Sequence, residues 1–123
     1  MGKYVHVVSK KEKYSEAEAF NWKQEEFKDL LNALNCSVHE EDPEGYCDRW
    51  ECRKDEYKQA IETLKAYSKD EEISEECDKD DISSALHELG EVYSLDPSPV
   101  IKLMEGFLEQ CDKDCDYVIF VAW

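Results

Sequence analysis

The chain has 123 residues, of which 41% are hydrophobic and 11% aromatic, enough to fold residues 1–123 as a single domain around its own core. Its 31 acidic residues face 15 lysines and arginines, a formal charge of −16, whereas a magnitude of about 2–8 keeps a small domain soluble. So acidic a surface repels nucleic acid phosphates and anionic lipid headgroups, which argues against direct binding to either and favours basic proteins as partners.

The first half of the chain predicts a strand, a helix and a hairpin. The apolar run KYVHVV predicts a buried strand over residues 3–8. Phe27, Leu30, Leu31 and Leu34 recur at helical spacing and predict a helix over 22–34 that ends at Asn35. The sequence Asp-Pro-Glu-Gly at 42–45 is typical of a turn, so we expect residues 37–41 to pair with residues 46–53.

The second half predicts helices and a final strand. One helix follows Asp55 as its expected N-cap, and a second follows Asp80 or Asp81 and carries an apolar stripe from Ile82 through Val92 to Tyr93. A third begins at Ser98, with Pro99 in its first turn. The last segment, DYVIFVAW, predicts an apolar strand.

These elements predict an α+β fold: a small, mostly antiparallel four-stranded sheet with three to four helices packed on it. If the later helices together form one crossover, the order is βαββαβ, as in ferredoxin-like proteins with extra helices. The two terminal strands are the most apolar, so we expect them to be neighbours.

The chain is expected to be cytoplasmic. Its first twenty residues lack the apolar region of a signal peptide, and its longest apolar run, YVIFVAW, is far shorter than the ~20 residues that span a bilayer. The six cysteines are therefore expected to be reduced thiols.

The acidic stretch KDEEISEECDKDD, residues 69–81, is the main functional signal. It holds eight carboxylates in thirteen positions, more than helix capping explains. We expect a protein-binding surface there, with the hairpin tip second and Trp50 as an aromatic contact. The predicted contacts are Asp70, Glu71, Glu72, Glu75, Glu76, Asp78, Asp80, Asp81, Glu40, Glu41, Asp42, Glu44 and Trp50.

A zinc-stabilised interaction module is one alternative. Cys36 and His39 have the spacing of a zinc ligand pair, and Cys47 with Cys52 could supply the second pair. In a strand, however, Cys47 and Cys52 project to opposite faces, because their separation is odd. We therefore expect no metal and no cofactor.

A small cysteine-dependent enzyme is the other alternative. Six cysteines and three histidines offer pairs such as Cys36 with His39 or Cys77 with His87, but such pairs also arise by chance. The chain has no nucleophile elbow, phosphate loop or dinucleotide fingerprint. A non-enzymatic role is therefore expected.

The interpretation that the charge favours is an inhibitor. A rigid acidic protein can occupy the basic groove of a nuclease or another nucleic-acid-handling protein. DNA mimics, anti-CRISPR-like phage and mobile-element proteins, immunity proteins and antitoxins act in this way. The sequence indicates neither the partner nor the oligomeric state.

Overall fold

The computed structural model describes residues 5–8, 20, 23–40, 48–111 and 113–122. Over these residues, helices pack against an antiparallel sheet, so the predicted α+β class is confirmed. The elements in chain order are β1 (Val5–Val8), α1 (Gln24–Ala33), β2 (His39–Glu40), β3 (Asp48–Arg53), α2 (Lys54–Ser68), α3 (Lys79–Leu89), α4 (Glu91–Leu95), α5 (Ser98–Gln110) and β4 (Tyr117–Ala122).

The centre of the sheet is β4, which pairs antiparallel with β1 on one side and with β3 on the other. The two terminal strands are thus neighbours, as predicted, with Val5 opposite Ala122. The short β2 adds only two residues at the outer edge of β3, where His39 lies opposite Glu51. Three strands of four or six residues therefore make up most of the sheet, and the predicted turn at residues 42–45 lies outside the described part of the chain.

The ferredoxin-like order is not confirmed. That plan interleaves two βαβ units, which would place β1 and β3 side by side. Here the described strands follow the order β1-β4-β3-β2, and β4 separates β1 from β3.

The core lies between the sheet and the helices and is centred on Phe120 of β4. Trp50 stacks on the Phe120 ring at a centroid distance of 5.5 Å. Tyr57 of α2, Phe27 of α1 and Phe107 of α5 meet the same ring edge-on or nearly so. The Tyr57 hydroxyl donates to the Met104 carbonyl oxygen at 2.8 Å, which joins α2 to α5. Because aromatic rings bury large areas, these contacts fix how three helices sit on the sheet.

Two helices end on residues in the left-handed conformation. Asn35 has φ 62°, and the Cys36 amide donates to Leu31 in the pattern that closes a helix C-terminus, which confirms the predicted stop. Asp70 has φ 57° after α2, and the Glu71 amide donates to Ala66 in the same way.

Two predicted N-caps are wrong. The carboxylate that caps α3 belongs to Asp78, which accepts from the Asp80 amide at 2.8 Å. The N-cap of α2 is Arg53, while Asp55 lies inside the first turn and accepts from the Glu56 amide. Both helices begin earlier than predicted, and so the expected caps lie inside them.

The expectation of one continuous stripe from Ile82 to Tyr93 is also wrong. The helix stops at Leu89, because Gly90 is extended, and α4 begins as a separate short helix. A Cβ on residue 90 would lie 3.2 Å from the Tyr93 ring, so this close approach favours glycine. The break leaves Val92 68% exposed, although the stripe predicted it to be buried.

Candidate protein-binding surface

Residues 69–78, called here the acidic connection, join α2 to α3. All the predicted contacts between residues 70 and 81 are exposed: Asp70, Glu71, Glu72, Glu75, Glu76, Asp78, Asp80 and Asp81. The stretch thus presents its carboxylates to solvent, where a partner can reach them.

The acidic connection is fastened to the rest of the protein at several points. Ile73 and Cys77 are partly buried against the core. The Asn35 amide group donates to the Glu76 carboxylate at 2.5 Å, which ties the connection to the end of α1. At its two ends, Asp70 closes α2 and Asp78 caps α3. These contacts hold the carboxylates in a defined arrangement rather than on a free linker.

Few of these carboxylates are neutralised. Lys79 lies 3.7 Å from Asp70, in a surface ion pair of the kind that contributes little stability. The carboxylates of Glu71, Glu72 and Glu75 make no hydrogen bond or ion pair with any described residue. Within residues 70–96 the chain carries eleven carboxylates and one lysine, a formal charge of −10 out of −16 for the whole chain.

A groove of about 360 Å³ lies beside the connection, between α1 and α3; it is called here the acidic groove. Its charged residues are Asp29 from α1 and Asp81 and Glu88 from α3, and its remaining walls are small or uncharged residues. None of its lining residues in the described part of the chain is a lysine or an arginine. Asp81 also belongs to the acidic stretch, so the groove extends that surface across to α1.

A second groove, of about 300 Å³, lies between α2 and α5; it is called here the balanced groove. It contains Glu62, Glu105 and Glu109, but Lys58 and Lys65 line it as well. Lys65 lies 3.6 Å from Glu62 and 3.4 Å from Glu105. The two grooves are similar in size and differ in whether lysines offset their carboxylates.

Of the acidic residues predicted as contacts at the hairpin tip, only Glu40 lies in the described part of the chain. Glu41, Asp42 and Glu44 lie outside the described residues. Glu40 is exposed, but its carboxylate accepts from Lys28 at 2.8 Å. Glu25 binds the same ammonium group at 3.0 Å. Burial lowers the pKa of Lys28, but the hydrogen bonds to Glu40 and Glu25 more than offset this, so its pKa is raised. Glu40 is thus partly neutralised by a structural lysine.

The expectation that Trp50 contacts a partner is wrong. Its side chain is fully buried between Phe120 and the Lys28 ammonium, which lies 4.8 Å from the ring centroid. Trp50 projects to the helix-facing side of β3, together with Cys52, because they are two residues apart. The alternation of the strand predicted that one face would be buried but not which face Trp50 occupies.

The described residues do not assemble the zinc site that the sequence offered as an alternative. His39 lies opposite Glu51 and shares its face, whereas Cys52 is the next residue and projects to the other face. Cys36 and Cys52 are both buried, and Cys47 lies outside the described residues. Across the described part of the chain, no group of three His, Cys, Asp or Glu side chains has the geometry to hold a metal ion.

The surroundings of two thiols disfavour their reactive form. The neighbouring Cys36 thiol and burial raise the pKa of Cys52, and burial with the charge of Glu76 raises the pKa of Cys77. A raised pKa reduces the thiolate fraction at neutral pH, and the thiolate is the nucleophile.

Sequence reasoning missed the acidic groove. Asp29 and Glu88 stand 59 positions apart in the chain, and only the packing of α1 against α3 brings them together. The available signal was that both lie on the polar sides of amphipathic helices, which does not reveal which helices pack together.

None of the described helices has the length and apolar character needed to cross a bilayer. Comparison of the chain with protein-family models, characterised proteins and solved structures gave no significant match.

Proposed function

We propose that this protein binds a basic, nucleic-acid-handling protein through the acidic connection and the acidic groove and thereby blocks its nucleic acid site. The observation that carries the proposal is the contrast between the two grooves. Lysines offset the carboxylates of the balanced groove, while Asp29, Asp81 and Glu88 line a concave surface whose described residues include no cation. Like-charged groups held together in this way cost stability, which a basic partner would recover.

The arrangement suits a mimic of nucleic acid. Duplex DNA presents one negative charge per about 1.7 Å of its axis, and proteins that bind it carry basic grooves. The carboxylates here are held by helix ends and by the anchored connection, so little ordering would be needed on binding. Opposite charges would also accelerate association at low salt.

The proposal includes a non-enzymatic role in the cytoplasm, as for phage anti-defence inhibitors, immunity proteins and antitoxins. It requires no metal and no cofactor. The five cysteines among the described residues are free.

Capture from a lysate of the source organism tests the proposal, with two variants of equal charge. The groove variant carries Asp29→Asn, Asp81→Asn and Glu88→Gln, and the control variant carries Glu62→Gln, Glu105→Gln and Glu109→Gln in the balanced groove. Each removes three carboxylates, so the formal charge falls from −16 to −13 in both. Any difference between them then reports position rather than net charge.

The expected result is a basic nucleic-acid-binding protein that the wild type and the control variant retain at low salt. The groove variant should retain much less of it, and duplex DNA should release it. Equal capture by the two variants, or retention in the presence of excess duplex DNA, would contradict the proposal.

A further inference from the structure

The exposed apolar residues of α4 form a second feature of this surface. Val92 is 68% exposed and Leu95 is 89% exposed. They stand three residues apart in α4, so they share one helical face. The neighbouring Tyr93 turns the other way and packs against the core.

Local contacts hold this apolar pair in place. The Tyr93 ring lies against Gly90 at the start of α4, and the Ser94 hydroxyl donates to the Glu91 carbonyl oxygen at 2.8 Å. At the other end, the Asp96 carboxylate accepts from the Ser98 amide at 3.1 Å, which joins α4 to α5. The pair is thus presented on an anchored segment.

Acidic residues flank the pair. Glu91 and Asp96 lie directly at the two ends of α4, and both are exposed. Glu88, near the end of α3, lines the acidic groove as well, and α4 begins three residues after it. A contact here would combine apolar burial at Val92 and Leu95 with negative charge around it.

We infer that α4 docks a basic amphipathic helix of the partner, with apolar side chains of that helix on Val92 and Leu95 and its lysines or arginines on Glu88 and Glu91. The inference rests on the proposed function and specifies which structural class of partner segment the surface accepts. Charge complementarity decides between occupants. A second copy of this chain would also carry −16, so the like charges oppose self-association through this face.

Three synthetic peptides of about 18 residues test the inference. The first has leucines on one helical face and lysines elsewhere. The second has the same composition in a shuffled order that places the leucines all round the helix. The third replaces the leucines by glutamines and is purely basic. Isothermal titration calorimetry measures the binding of each peptide to the wild-type protein and to its variants.

The amphipathic peptide should bind the wild type at least about tenfold more tightly than the shuffled and purely basic peptides. The double variant Val92→Ser, Leu95→Ser should remove this advantage and leave binding of the purely basic peptide unchanged. Both positions are exposed, so the variant should unfold at the wild-type denaturant concentration. Glu88→Gln with Glu91→Gln should weaken the binding of the amphipathic peptide and of the purely basic peptide. Glu105→Gln with Glu109→Gln gives the protein the same net charge and should leave both affinities unchanged.

The possible failures are distinguishable. If the purely basic peptide binds and responds to the Glu88 and Glu91 changes, but the amphipathic peptide gains nothing from Val92 and Leu95, the inference is overturned and the proposed function stands. If no peptide binds, or if both paired glutamate variants weaken binding equally, the proposed function fails with it. A dimer that the double serine variant abolishes in analytical ultracentrifugation would overturn the inference in favour of self-association.

Discussion

The two grooves of this protein are similar in size but differ in charge balance. Residues 54–68 and 98–110, which form the helices around the balanced groove, carry four lysines against five carboxylates. Residues 70–96 carry one lysine against eleven carboxylates over a similar length. The formal negative charge is therefore concentrated in residues 70–96 rather than spread evenly along the sequence. An uneven charge distribution of this kind is what the proposed partner-binding surface requires, whereas general acidity that only promotes solubility would not require it.

Lys28 and Lys65 each bind two carboxylates, and alanine variants of these two lysines should differ most in their loss of stability. Lys28 is buried over Trp50, so Lys28→Ala loses apolar packing and a cation–π contact together with its ion pairs. We expect a loss of about 1–2 kcal/mol, because the partner glutamates remain half exposed and can be hydrated. Lys65→Ala in the balanced groove should change stability by at most about 0.5 kcal/mol. Urea denaturation measures both, and equal losses would contradict the assignment of Lys28 to the core.

The acidic connection should contain structural and partner-facing carboxylates that mutation can separate. Asp78→Ala removes the N-cap of α3 and should cost about 1 kcal/mol in urea denaturation. Glu75→Ala is the matched control, because Glu75 is exposed and has no bonded partner among the described residues. Its stability should stay within about 0.5 kcal/mol of the wild type. A large loss for Glu75→Ala would mean that the connection needs its carboxylates for folding.

Carboxylates in the two grooves should affect stability with opposite sign. Asp29→Asn with Glu88→Gln relieves repulsion in the acidic groove and should stabilise the protein by about 0.5 kcal/mol at low salt. Glu62→Gln with Glu105→Gln removes both partners of Lys65. This double variant should destabilise the protein by about 0.5 kcal/mol or less. Both effects should shrink at high salt, since salt screens surface charges. The same sign for the two variants would show that the charge balance of the grooves has no energetic consequence.

The smallest expected effect concerns pH and the end of α4. Hydrogen bonds from the Ser98 hydroxyl and amide lower the pKa of Asp96 in the folded protein. Because this pKa is lower in the folded than in the unfolded protein, ionised Asp96 stabilises the fold at pH values above the unfolded aspartate pKa of about 4. This stabilisation is lost as the pH falls through the pKa that Asp96 has in the folded protein. Asp96→Ala should therefore be less stable than the wild type at neutral pH, with the difference vanishing in acid. Thermal unfolding of both proteins from pH 7 to about pH 3 measures this difference in stability. A difference that persists in acid would mean that Asp96 stabilises the protein through packing and not through its charge.

Local patterns predicted much of the fold. The apolar spacing predicted α1, continuous apolar runs predicted the two terminal strands, and Asn35 was predicted as the stop of α1. The break at Gly90 was missed because the apolar spacing continues across it. The sheet order was missed because it depends on which strands pair, which periodicity does not determine.

The candidate surface was only partly predictable for the same reason. Carboxylates adjacent in the chain, such as those of the acidic connection, are visible as a charge run. The groove needs Asp29 and Glu88 from helices distant in sequence, and Trp50 needed the orientation of β3 to be recognised as core. Exposure and burial of such residues follow from tertiary packing, which a single sequence does not provide.

The salt dependence of association with the captured partner tests the central claim most directly. Two variants of charge −12 are compared: Asp70→Asn, Glu71→Gln, Glu72→Gln and Glu75→Gln in the acidic connection, and Glu62→Gln, Glu105→Gln, Glu109→Gln and Asp114→Asn elsewhere. The connection variant should associate about tenfold more slowly at low salt, with a flatter salt dependence, and the other should behave like the wild type. Equal slowing of both variants, or no slowing of either, would contradict a partner-binding surface at the acidic connection.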